Sequence, residues 1–332
     1  MLPSYHRSFY RIIKKTIQCK YLFYFNPKLV CAEDNMIIDS HQHAYYHGLN
    51  PAGVIAEMDD FGIDVTWLLT WYHPPAEDAP GSCRAFNPCN LRPDGTHAGA
   101  TLEELLGARD TYPDRFIAGY CPCPSEGDAP ALFEAAYHMH GVRVCGEWSY
   151  RMLLDDPRAL ELFRKAGELS CPVVLHLDVP YLPDENGRQV YQTHWYGGGA
   201  APLERTLQAC PETIFIGHAP GFWRYISGDA DTDPATYPRG PITPGGQVHR
   251  LLDSYPNLYA DLSAGSGLGA LQRDIDHAHE FLTRYADRLL FGRDQHGQVL
   301  QLFLQGLELP DDVARKIFHE NALRLVSLHN PD

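Results

Sequence analysis

Five apolar runs in this sequence stop on residues that can bind a metal or move a proton. Ile37-Ile-Asp-Ser-His-Gln-His43 sets Asp39, His41 and His43 two residues apart, Gly141-Val-Arg-Val-Cys145 runs on to Glu147, and Val173-Val-Leu-His176 ends in a histidine. Ile214-Phe-Ile-Gly-His218 does the same, and Leu289-Leu-Phe-Gly-Arg-Asp294 ends in a carboxylate. Side chains two apart on a strand share a face, and burying that much polarity without a partner is costly. Neutral imidazoles with a carboxylate suit one divalent transition metal ion, zinc first, with iron, manganese, cobalt and nickel accepted by the same donors. Such an ion acidifies a bound water, whose proton a nearby carboxylate or imidazole takes.

Each residue alone has a plainer reading. His176 or His218 would be a hydrogen-bonded core histidine, and Asp294 the cap of the next helix. Four strands ending the same way make coincidence the weaker account. His138 with His140, and His277 with His279, supply the contrast: they fall on helical patterns, where positions i and i+2 diverge, and they read as surface residues.

The elements that must gather these residues follow from the apolar pattern. After Met36 short β-branched runs alternate with segments of helical spacing, the rhythm of βα units on a parallel sheet. Strands are expected at 36–40, 64–69, 115–120, 141–145, 172–177, 213–217, 257–262 and 288–292, and eight is the number that closes a (β/α)₈ TIM barrel. Helices are expected at 51–61, 102–112, 130–138, 157–169, 202–209, 247–255 and 270–287, with 310–318 and 320–328 closing the chain. Long loops follow strands two, five and six, at the C-terminal face where barrel enzymes keep their active sites.

The formal charge of −15 over 332 residues excludes a nucleic-acid surface. Residues 1–35 differ from the rest: they hold six of the 27 Lys and Arg and only two of the 42 acids, with a short aromatic patch at Tyr21-Leu-Phe-Tyr-Phe25. The patch is too short to span a bilayer, so no stable membrane insertion is expected. The stretch reads as a poorly ordered extension before a barrel domain at 36–332, with a leader or membrane-surface anchor as the alternative. Nine cysteines without zinc-ribbon spacing read as reduced thiols in a cytoplasmic protein.

The polar strand ends, together with Ile317-Phe-His-Glu-Asn-Ala-Leu-Arg-Leu325, resemble the amidohydrolase superfamily. The closer likeness is to its amidohydrolase-related branch, which includes aminocarboxymuconate-semialdehyde decarboxylase-like proteins and sugar-lactone hydrolases. The resemblance spans about Met36 to Val326. It implies that His41, His43 and His176 bind the metal, that Asp294 ligates it or takes a proton from its water, and that His218 acts as base or polariser. It also makes a homo-oligomer the expected assembly. Two departures stand out. Strand four carries Arg143 and Glu147 where many members have a carboxylated lysine bridging two metals, which favours one metal with Glu147 as an extra ligand. Arg293 stands where small residues are common.

Trp71, Trp148, Trp195 and Trp223, just past strand ends or in the long loops and accompanied by tyrosines such as Tyr196, are candidate flat walls for a substrate ring or sugar, and Arg143 and Arg293 candidate grips for a carboxylate. The leading expectation is a metal-dependent hydrolase of a C–O or C–N bond in a small molecule such as a lactone, ester or amide. A decarboxylase of aromatic or unsaturated acids is the alternative, and a non-catalytic barrel the third reading.

Overall fold

The structure, a computed structural model, describes residues 36–77 and 82–328; the expected N-terminal extension lies outside them. Eight parallel strands run in chain order: β1 (Ile38–Gln42), β2 (Val65–Leu69), β3 (Phe116–Gly119), β4 (Cys145–Trp148), β5 (Val173–His176), β6 (Phe215–His218), β7 (Leu258–Asp261) and β8 (Leu289–Leu290). They form an arc of three, β1–β2–β3, and an arc of five, β4–β5–β6–β7–β8. Backbone hydrogen bonds join the arcs at both seams. Tyr120 N–H reaches Val144 O at 2.9 Å and Arg143 N–H reaches Ala118 O at 3.0 Å, while Ser40 N–H reaches Phe291 O at 2.9 Å and Asp294 N–H reaches His41 O at 2.8 Å. The eight expected runs are thus the eight strands of a TIM barrel.

The crossover helices are α1 (Pro51–Phe61), α2 (Leu102–Thr111), α3 (Ala129–His140), α4 (Pro157–Glu168), α5 (Ala200–Ala209), α6 (Gln247–Ser254), α7 (Ile275–Arg284) and α8 (Val299–Gly306). Their starts are written in the sequence: Asn50, Asp128 and Asp156 each cap an exposed N–H just ahead of a proline in the first turn, and Thr101 with Glu104 forms a capping box. The expected helix over 270–287 is two helices, Ala264–Gln272 and α7. Asp274 breaks the run, its side chain accepting His277 N–H and starting a new helix. Helix α8 has no counterpart in the sequence reading. The loops after β2 and β5 carry small antiparallel hairpins, Trp71–Tyr72 with Gly99–Ala100 and Tyr181–Pro183 with Gln189–Tyr191.

Strand alternation separates two cores. Ile38, Val65, Trp67, Leu69, Val144, Val174, Ile216, Tyr259 and Leu290 fill the barrel, floored by Ala322 and Val326. Their strand neighbours, among them Val173, Leu175, Phe215, Leu258 and Ala260, pack outward under the helices. On β5, β6 and β7 the residue two beyond the inward hydrophobe is His176, His218 or Asp261, so these side chains sit on top of the apolar plug. None of the helices among the described residues is long and apolar enough to cross a membrane.

Candidate metal centre

Two bulges bring β1 and β4 into the site. On β1 three steps from Asp39 to Gln42 face two on β2, and on β4 three steps from Cys145 to Trp148 face two on β5. A bulge bends its strand and re-aims a side chain. Here the bends accompany His41 and His43 facing one point over the plug, with Glu147 between them. Asp294 enters from just past β8 with a left-handed backbone (φ 46°), a conformation that non-glycine residues adopt rarely and that clusters at functional sites.

His41, His43, Glu147 and His218 are at most 1% exposed and Asp294 is 7% exposed. His41, His43 and Asp294 bring one ligand atom each within 4.8 Å of one another, and so do His41, Glu147 and His218. The spacing between donors is informative. His43 Nε2 lies 3.4 Å from both Glu147 Oε2 and Asp294 Oδ1, and His41 Nε2 lies 3.5 Å from Glu147 Oε1 and 3.8 Å from Asp294 Oδ1. His218 Nε2 lies 3.3 Å from Asp294 Oδ2 and 3.8 Å from Glu147 Oε1. These separations are long for N–H···O bonds; the four at 3.3–3.5 Å lie close to the edge of about 3.3–3.4 Å between donors around a tetrahedral ion with bonds near 2.0–2.1 Å, and the two at 3.8 Å are wider. The buried atoms without a hydrogen-bond partner include His41 Nε2, His43 Nε2, Glu147 Oε2 and Asp294 Oδ1, which meet here. A divalent cation fits this donor set.

The other ring nitrogens are tied down. His43 Nδ1–H donates to Leu69 O at 2.8 Å and His41 Nδ1–H to Asp261 Oδ2 at 2.7 Å, which leaves each Nε2 lone pair aimed at the centre. His218 Nδ1 meets Ser263 Oγ at 3.0 Å. Burial opposes the charge of Glu147, yet His176 and His41 hold its carboxyl well below the ordinary range. Burial likewise opposes the charge of Asp294, and His41, His218 and His43 hold it low. His176 stands apart. Its Nδ1 lies at an ordinary hydrogen-bond distance, 2.9 Å, from Glu147 Oε1, and its Nε2 lies 3.4 Å from Asp178 Oδ2. Burial lowers its pKa, but Glu147 and Asp178 outweigh that and raise it to about 10.

Of the expected substrate contacts, Arg143, Trp148, Trp223 and Arg293 are not brought to this cluster. Arg143 lies at the opposite end of β4, where it lines a cavity of about 980 Å³ and stacks 4.7 Å from the Tyr137 ring. Trp148 follows Glu147 and so points outward, into Tyr150 and Phe163. Trp223 is core, its Nε1–H held by Asp261 O at 3.0 Å. Arg293 is 2% exposed and pairs with Asp39 at 2.7 Å and Glu57 at 2.9 Å. Asp39 is therefore the counter-charge of Arg293 rather than a third member of the histidine pair. The aromatic faces that do border the centre are Trp71, with its ring centroid 5.2 Å from His43 and 5.1 Å from His176, Tyr46 at 5.4 Å from His43, and Tyr196 at 5.4 Å from His176. The sequence reading named Trp71 and Tyr196 but passed over Tyr46, Asp261 and Ser263. An Asp ending the apolar run of β7 at the same rim was the available signal.

The sequence profile of the amidohydrolase family matches residues 38–328. The chain belongs to the amidohydrolase family and is an enzyme of that family. No curated protein sequence matches. Among solved structures the chain is similar to 2,6-dihydroxybenzoate decarboxylase from Rhizobium (17% identity, 87% of this chain and 97% of that one, TM-score 0.53). It is also similar to the manganese-bound 5-carboxyvanillate decarboxylase of Novosphingobium aromaticivorans (15%, 90% and 99%, 0.55). A candidate 2-pyrone-4,6-dicarboxylic acid hydrolase from Pseudomonas putida is a third (16%, 89% and 98%, 0.52). At these identities the likeness is one of fold.

Proposed function

We propose that the chain is a metal-dependent hydrolase that opens a C–O or C–N bond of a small molecule such as a lactone, ester or amide. The observation that carries this reading is the 3.3–3.8 Å spacing of imidazole and carboxylate donors around one buried point. In this reading His41, His43, Asp294 and Glu147 hold one ion, and His176 steadies Glu147 through its hydrogen bond. When bound, the ion supplies Lewis acidity and a water acidified toward neutrality; zinc suits the donors best, and manganese is the ion named for one structural relative.

Asp294 Oδ2 and His218 Nε2, 3.3 Å apart, form the proton-handling pair. Asp294 takes the proton of the attacking water and passes it to His218 Nε2, which delivers it to the leaving group of the bond being broken. Trp71, Tyr46 and Tyr196 wall the site and limit bulk water. Cys89, Cys121, Cys123, Cys145, Cys171 and Cys210 are free thiols, which supports a reducing compartment such as the cytosol.

A second reading, decarboxylation of an aromatic or unsaturated acid, draws on the same Trp71 and Tyr46 faces, which suit a planar ring. Purified protein is tested by elemental analysis and by a panel of lactones, esters and amides for acid release against aromatic acids for CO₂ release. The expected result is about one divalent ion per chain and acid release, both lost in the H41A/H43A double variant. CO₂ release without hydrolysis would establish the second reading, and full activity in metal-stripped protein would sink both.

A further inference from the structure

Ser263 occupies the N-cap of the helix Ala264–Gln272, the position where a serine hydroxyl ordinarily caps an exposed backbone N–H. Its side chain makes no such bond. The hydroxyl, fully buried, lies 2.8 Å from Asp261 Oδ2 and 3.0 Å from His218 Nδ1. We infer that Ser263 is a positioning residue that fixes which nitrogen of His218 faces the reaction, an inference that rests on the role proposed above for His218.

The argument is one of counting donors. An ionised carboxylate only accepts, and a hydroxyl has one proton to give. Ser263 gives that proton to Asp261 Oδ2, so toward His218 it can only accept. His218 must then carry a proton on Nδ1, and in the neutral ring its Nε2 is left as a lone pair toward Asp294 and Glu147. Asp261 Oδ2 also accepts from His41 Nδ1 and lies 3.4 Å from His218 Nδ1, too long for a good hydrogen bond, so one carboxylate on β7 orients one ring directly and the second chiefly through the serine. Asp261 is itself held, its Oδ1 accepting Ser263 N–H at 2.8 Å. The serine has given up its local cap for a contact that helps only the site. A helix whose N-cap side chain already contributes no bond loses little when that side chain is shortened.

The test is ¹⁵N NMR of histidine-labelled, zinc-loaded full-length protein, with the His218 resonances identified by their loss in H218Q. Wild type is expected to show His218 protonated at Nδ1. In S263A a form protonated at Nε2 should appear beside it, with zinc content and far-UV circular dichroism unchanged, and S263T, which keeps the hydroxyl, should restore the wild-type pattern. An unchanged His218 signature in S263A, or a wild-type ring protonated at Nε2, overturns the inference. If S263A fails to fold, the wild-type spectrum and S263C, whose thiol is a poor acceptor, decide between the same two outcomes. These readouts need no substrate, so failure of the hydrolase reading would show in the substrate panel and not here.

Discussion

Asp261 touches no reacting atom in the proposed chemistry, yet it fixes His41 through a buried 2.7 Å hydrogen bond. Partners that orient metal-binding histidines typically matter by about 10–100-fold in metal affinity. D261N is therefore expected to weaken zinc binding by about that factor while leaving the far-UV spectrum intact, as measured by competition with a chromophoric chelator. Why Asp261 escaped the sequence reading is clear: its strand ends in a single carboxylate with no histidine nearby, and a lone Asp after an apolar run is usually a cap. Trp148 failed for the opposite reason. It was picked out as an aromatic residue near a strand end, but the period-two geometry that aims Glu147 inward sends its neighbour outward.

At the level of elements, the eight strands were legible because buried parallel strands are short, apolar and β-branched, and nothing else in the chain competes for that pattern. Their ends were less so. β1 extends through Gln42, two residues past its expected stop, because the polar HxH segment stays in the sheet. β4 was expected at 141–145 and forms at 145–148, where an apparent break at Gly146 is a bulge and not an end. Gly292, just past β8, shows how closely the rims meet: a Cβ there would lie 2.8 Å from Asp261 Oδ1 and 2.9 Å from His41 Cβ. G292A is expected to displace both residues, so metal content should fall while helix content is retained. Unchanged metal content would show that the rim yields more easily than close packing allows.

At the scale of the whole molecule, every residue of the candidate centre lies between His41 and Asp294, within the barrel that begins near Met36. A chain starting at Met36 is accordingly expected to bind one ion with wild-type affinity and to melt within a few degrees of the full-length protein, as calorimetry would show. A large loss on either measure would give residues 1–35 a structural role.

The two arcs of the barrel lend the ion a second part to play. His41 and His43 belong to the three-stranded arc, and Glu147, His218 and Asp294 to the five-stranded one, so in the proposed role the ion is a clasp on an interrupted hoop. Chelated protein should then loosen first where the hoop is joined. Amide exchange at Ser40, Tyr120 and Arg143 should speed up well before that at Ile216 or Gly217 in the middle of the larger arc. The chemistry at the rim and the mechanical continuity of the barrel would answer to the same bound ion.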